Sequence, residues 1–98
     1  MIGQGVPVVV QIHDPGCSLC NRLRRNADAA AEHFDDRLLF RIADISTSAG
    51  RRLQRRYDVP HVTLLLFDAE GELRNVLSDV KSEEILRHSF ARHLQRHG

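Results

Sequence analysis

The stretch Pro15-Gly16-Cys17-Ser18-Leu19-Cys20 constrains this chain more than any other. It holds both cysteines of the protein, follows the apolar residues Val8, Val9, Val10 and Ile12, and precedes a helical pattern. Two thiols separated by two residues at a helix start can close a small disulfide ring. The first lies where the helix N-terminus supplies positive partial charge and unpaired backbone N–H groups, which stabilise a thiolate. The thiolate is the attacking species in disulfide exchange. Lowering its pKa toward ambient pH raises the reactive fraction, while the neighbouring thiol resolves the mixed disulfide.

A second chemistry is open to the same residues. A Cys-x-x-Cys pair is half of a structural zinc site, and His13, His33 or His61 could complete the tetrahedron. Zinc knuckles usually set their cysteines in a tight turn between short strands, whereas these open a long helical pattern. A purely structural disulfide is weaker still as a reading, because its loop is too short to remove much unfolded-state entropy.

The 98 residues suit one domain, 1–98, with a single modest core. Charged residues at 28% and apolar ones at 42% exclude a wholly disordered chain and fit a soluble globular protein. Fourteen Lys and Arg stand against thirteen Asp and Glu, so the arginine runs do not make a polyanion binder, and no nucleic-acid partner is expected. Met1 to Pro7 lacks the pattern of a signal peptide, and no segment approaches the roughly 20 apolar residues of a membrane span. The expectation is a cytoplasmic monomer without a membrane partner. Two cysteines there stay reduced unless they are turning over.

Val6 to His13, dense in valine, reads as a central strand buried on both faces. Asp14-Pro15-Gly16 breaks it. From Cys17 to about Phe34 the positions Cys20, Leu23, Ala27, Ala30, Ala31 and Phe34 recur at helical spacing. Asp35-Asp36 ends that helix, and Leu38 to Ile45 is a second strand, parallel to the first through a right-handed crossover. Ser46-Thr47-Ser48 offers N-caps for a short helix from Ala49 to Tyr57, whose Arg51, Arg52, Arg55 and Arg56 make the most basic patch. Asp58-Val59-Pro60 stops it. His61 to Phe67 and Glu72 to Leu77 form an antiparallel pair around the Asp68-to-Gly71 turn. Ser82, Glu83 and Glu84 begin the last helix, with Ile85, Leu86, Phe90 and Leu94 on its apolar stripe.

The order β-α-β-α-β-β-α, with Cys17-Ser18-Leu19-Cys20 at the first helix and Tyr57-Asp58-Val59-Pro60 running into Thr63-Leu64-Leu65-Leu66-Phe67, resembles the thioredoxin superfamily from Val6 onward. The resemblance implies an α/β thioredoxin-like fold with a four-stranded mixed sheet flanked by helices. It implies a protein-disulfide oxidoreductase in which Cys17 is the nucleophile and Cys20 the buried resolving thiol. Gly16, Ser18 and Leu19 would contact substrate. Val59 and a cis Pro60 would form one wall of the groove, Pro60 facing the cysteine pair and the Val59 backbone free to pair with an extended peptide. A cis X-Pro bond costs only about 0.5–1 kcal/mol, so that geometry is accessible.

The partners implied are disulfide-containing protein substrates and a thioredoxin reductase or other thiol reductant, with no cofactor and no metal. The chain also departs from the family. Gly16 stands where thioredoxin usually has Trp, Ser18-Leu19 where it has Gly-Pro, and Gln11 where it has a buried Asp, so the proton of the resolving thiol must go to water, His13 or Asp14. Too few residues precede Val6 for the extra leading strand and helix, which leaves the smaller glutaredoxin-like core. Glutaredoxins, however, favour Pro-Tyr between the cysteines and Gly-Gly before the last helix, where this chain has Ser78-Asp79-Val80. Glutathione use, with contacts from Arg22 or Asp79, is the alternative reading. A zinc-holding or binding module without redox turnover is a third.

Overall fold

In a computed structural model of the chain, residues 2–98 are described. Four strands, β1 (Val8–His13), β2 (Leu39–Asp44), β3 (Thr63–Phe67) and β4 (Leu73–Ser78), form one mixed sheet in the order β2-β1-β3-β4. β1 runs parallel to β2 and antiparallel to β3, and β3 and β4 are antiparallel. Helices α1 (Ser18–Glu32), α2 (Ser48–Tyr57) and α3 (Glu83–His97) complete the expected order, with a single 3-10 turn at Asp35–Arg37. The sheet class and connectivity are those expected. The strand starts differ, because β1 opens at Val8 rather than Val6 and β3 at Thr63 rather than His61.

The apolar patterning dictates the layers. All six residues of β1 and all five of β3 are buried, which is what two central strands covered on both faces require. One face packs Val9, Leu64 and Leu66 against Leu23, Ala27 and Ala30 of α1 and Leu86 and Phe90 of α3. The small alanines of α1 let the two helices approach each other over the sheet. The opposite face is smaller. Val8, Val10, Ile12, Leu65 and Phe67 lie under Leu53 and Tyr57 of α2, with the Tyr57 ring edge-on to Phe67 at a centroid distance of 5.5 Å. Each fully buried Leu or Phe here contributes about 1.5–3 kcal/mol relative to exposure.

Two local devices hold the frame. Gly50 presses α2 onto the end of β2 so closely that a Cβ there would overlap the Asp44 carbonyl. In the β3–β4 turn, the buried Asp68 carboxylate accepts from the N–H groups of Glu70 (3.0 Å) and Glu72 (2.9 Å) and from Arg74 Nε (2.7 Å). The β4 register skips Arg74 between Asn75 and Leu73, a bulge that turns this side chain back onto the turn.

Candidate active site

The site begins where β1 ends. Asp14 makes the reversal: its Oδ1 accepts from Gly16 N at 2.9 Å and its carbonyl from Cys17 N at 3.0 Å. Pro15, Gly16, Ser18 and Leu19 are exposed around the turn, and Leu19 keeps half of its surface in solvent. Cys17 is the N-cap of α1, with extended backbone (φ −103°, ψ 119°) and a sulfur that accepts from Cys20 N at 3.4 Å. The sulfur thus occupies the place that a Ser or Asp oxygen takes at other helix starts. The Cys20 N–H lowers the Cys17 pKa most, helped by the Cys20 thiol and the Leu19 N–H, while partial burial and the Asp14 charge oppose it. Cys20 lies one turn on and fully buried, and desolvation pushes its pKa up, against the N–H groups of Asp14 and Val62. Both thiols are free. An accessible, easily ionised sulfur is therefore set beside a buried, reluctant one.

Beneath the pair sits Gln11. Its Nε2 donates to the Cys20 carbonyl at 2.9 Å and lies 3.1 Å from His13 Nδ1. A carbonyl can only accept, so the amide nitrogen must face it, and the second N–H points to His13 Nδ1 as acceptor. His13 then carries its proton on Nε2. Burial, and next the charge of Arg24, lower its pKa, so the ring is neutral over most of the physiological range. Of the two side chains expected, beside water, as proton acceptors for Cys20, His13 has its Nδ1 and Asp14 its Oδ1 engaged in structural hydrogen bonds.

The loop from α2 to β3 corrects the expectation at Pro60. Among the described residues no peptide bond is cis. Asp58 takes the left-handed conformation (φ 52°), its N–H bonds the Arg55 carbonyl, and the Val59 N–H bonds the Gln54 carbonyl at 3.4 Å. This is the paired capping pattern that ends many helices, with a proline just beyond it because it cannot continue the helix. Pro60 is exposed and serves as that stop, and the Val59 N–H is consumed by the cap rather than left free at a groove. Two further residues separate Pro60 from β3, and both reach the cysteines. Val62, buried and itself left-handed (φ 62°), donates to the Ile12 carbonyl at 3.1 Å and accepts from Asp79 N at 3.0 Å. A β-branched residue in that conformation is strained and persists only where its surroundings hold it. Beside it, a ring nitrogen of the exposed His61 lies within 4.8 Å of the sulfurs of both Cys17 and Cys20, which are equally close to each other.

No protein-family model matches the chain, and no curated protein matches its sequence. Solved structures do. An uncharacterised thioredoxin-like protein from Clostridium perfringens superposes with a TM-score of 0.80 over 97% of this chain and 73% of its own, at 16% identity. Thioredoxin-2 of the malaria parasite, described as a component of that parasite's protein secretion machinery, gives 0.79 over 90% of this chain and 84% of its own, also at 16% identity. The chain has a thioredoxin-like fold.

Within the thioredoxin-like fold, the structure brings together Cys17, Cys20, Gly16, Ser18 and Leu19, and bonds the Val59 N–H back to α2, with Pro60 following in trans. Of the three histidines weighed as metal ligands, only His61 reaches the cysteines. His33 sits past the far end of α1, 3.3 Å from Glu83. The contribution of Val62 was missed, and its only signal in the sequence is its place directly before the Thr63-to-Phe67 strand. No helix among the described residues is long and apolar enough to cross a membrane.

Proposed function

We propose that the protein is a thiol–disulfide oxidoreductase of thioredoxin type, cycling Cys17 and Cys20 between dithiol and disulfide while reducing protein disulfides. The carrying observation is the asymmetry of the pair: the Cys17 sulfur caps α1, favoured as thiolate and partly exposed, while Cys20 is fully buried behind it. In the first step the Cys17 thiolate attacks a substrate disulfide, forming a mixed disulfide and expelling one substrate sulfur as thiolate. Cys20 then gives its proton to water or to that departing thiolate and attacks Cys17 Sγ. The second substrate thiolate leaves, and the two electrons have passed from the cysteine pair to the substrate. Exposed Pro15, Gly16, Ser18 and Leu19 would receive the substrate chain, Leu19 offering apolar surface where thioredoxins present proline. A thioredoxin reductase or other thiol reductant would return the pair to the dithiol, in a compartment that keeps thiols reduced.

Insulin reduction, followed by turbidity, tests this. The protein should turn over with NADPH and thioredoxin reductase, and Cys17→Ser should abolish the reaction. Turnover only with glutathione and its reductase would move the protein to the glutathione-dependent reading. No turnover in either system would remove the oxidoreductase assignment.

A further inference from the structure

We propose that the reduced protein holds a zinc ion between Cys17 Sγ, Cys20 Sγ and a ring nitrogen of His61, a site that exists only while the cysteines are reduced. The inference is separate from disulfide turnover, although it uses the same two sulfurs. Its basis is that the three ligand atoms lie within 4.8 Å of one another, close enough for small side-chain rotations to bring each to zinc, at about 2.3 Å for sulfur and 2.0–2.1 Å for nitrogen. Two thiolates and an imidazole are a borderline-soft set. They suit tetrahedral zinc far better than the oxygen-seeking magnesium or calcium.

The site is built rather than incidental. Although His61 is exposed, it is held next to the pair by Val62, whose backbone bonds Ile12 on one side and Asp79 on the other. The Cys17 sulfur accepts from the Cys20 N–H at 3.4 Å, which offsets part of the charge of two adjacent thiolates. The Gln11 amide clamps the Cys20 carbonyl from below, fixing the backbone that carries the second ligand. With three protein ligands, the fourth position remains for water or another small donor. Binding takes Zn2+ and releases one proton from each thiol that was protonated, with His61 entering as neutral imidazole. Oxidation by a substrate disulfide moves two electrons from the dithiolate to that disulfide. The Cys17–Cys20 bond forms, two substrate thiolates leave, and Zn2+ is set free.

The test uses the full chain, reduced, stripped by chelator and kept under nitrogen, then titrated with Zn2+ against a chromophoric chelator. One zinc per chain is expected for the reduced protein and none after oxidation to the disulfide. Co2+ in place of zinc should give thiolate-to-cobalt charge-transfer bands and intense visible bands of a tetrahedral site. His61→Ala should weaken zinc binding by at least about tenfold, the lower limit for losing even an outer-shell partner. His61→Cys should recover it. Circular dichroism of both variants checks that the loop change has left the fold intact. Zinc uptake by His61→Ala as tight as that of the unaltered protein, or no uptake by the reduced protein, would overturn the proposal. Insulin reduction in the presence of chelator reads the redox assignment alone, so either can fail while the other stands.

Discussion

Cys17 and Cys20 are chemically alike and differ only in where the helix puts them. A sulfur at the N-cap receives N–H groups that have no intrahelical carbonyl to bond, whereas a sulfur one turn on faces the core. With a lowered Cys17 pKa and a raised Cys20 pKa, iodoacetamide should label Cys17 first, and its rate should rise with pH from below the ordinary thiol range. Mapping the labelled peptides over a pH series checks this, and equal labelling of both would mean that the N-cap geometry has no effect on reactivity. The spacing Cys17-Ser18-Leu19-Cys20 made this pair legible in the sequence, since only a helix start gives two such thiols different surroundings. The fate of His13 was not legible. Its committed Nδ1 depends on Gln11, whose direction is set by the Cys20 carbonyl, nine residues away.

The elements follow closely from periodicity, and their junctions do not. The valine-rich β1, the alanine face of α1 and the apolar β3 were all readable, because burial on two faces or along one stripe leaves a pattern. At the α2–β3 junction the helix stop at Asp58-Val59-Pro60 was legible, whereas the trans Pro60 and the Val59 N–H bond back to α2 were not, because a resemblance carries over a loop's residues and not its hydrogen bonds. At the other end of α2, Gly50→Ala sets helix propensity, about 1 kcal/mol in favour of alanine, against overlap with the Asp44 backbone. Overpacking typically costs about 1–3 kcal/mol and here meets a carbonyl that cannot rotate away. The overlap should win, lowering the urea midpoint; an unchanged or raised midpoint would contradict the close approach. The β3–β4 turn carries a pH dependence. Hydrogen bonding to Arg74, and next to the Glu72 N–H, holds the Asp68 pKa below its ordinary 3.8. The unfolded chain therefore binds this proton more readily, so the stabilisation is complete well above 3.8 and is lost as pH falls through the folded value. The gap in Tm between the protein and Asp68→Asn should be constant near neutrality and shrink in acid. A gap independent of pH down to 2.5 would show that the carboxylate charge is not what holds the turn.

At the scale of the whole molecule, the parallel β1–β2 crossover carries α1 across one face of the sheet, and the antiparallel return of β3 brings its N-terminal loop to the end of β1. Val62 is bonded to Ile12 there, so two segments more than forty residues apart in sequence meet at one rim and enclose the cysteine pair. The alternation of elements foretold this meeting, but not that His61 and Val62 would take part in it. The fold is shared with proteins of only 16% identity, so the layers tolerate wide substitution. The division of labour within the pair is tested most directly by trapping. Cys20→Ser and Cys17→Ser, each incubated with a disulfide-bonded protein, are resolved by non-reducing mass analysis. Cys20→Ser should accumulate a mixed disulfide through Cys17, because attack proceeds and release does not. Cys17→Ser should accumulate little. Equal trapping by the two variants, or trapping through Cys20 alone, would contradict the assignment of nucleophile and resolving thiol.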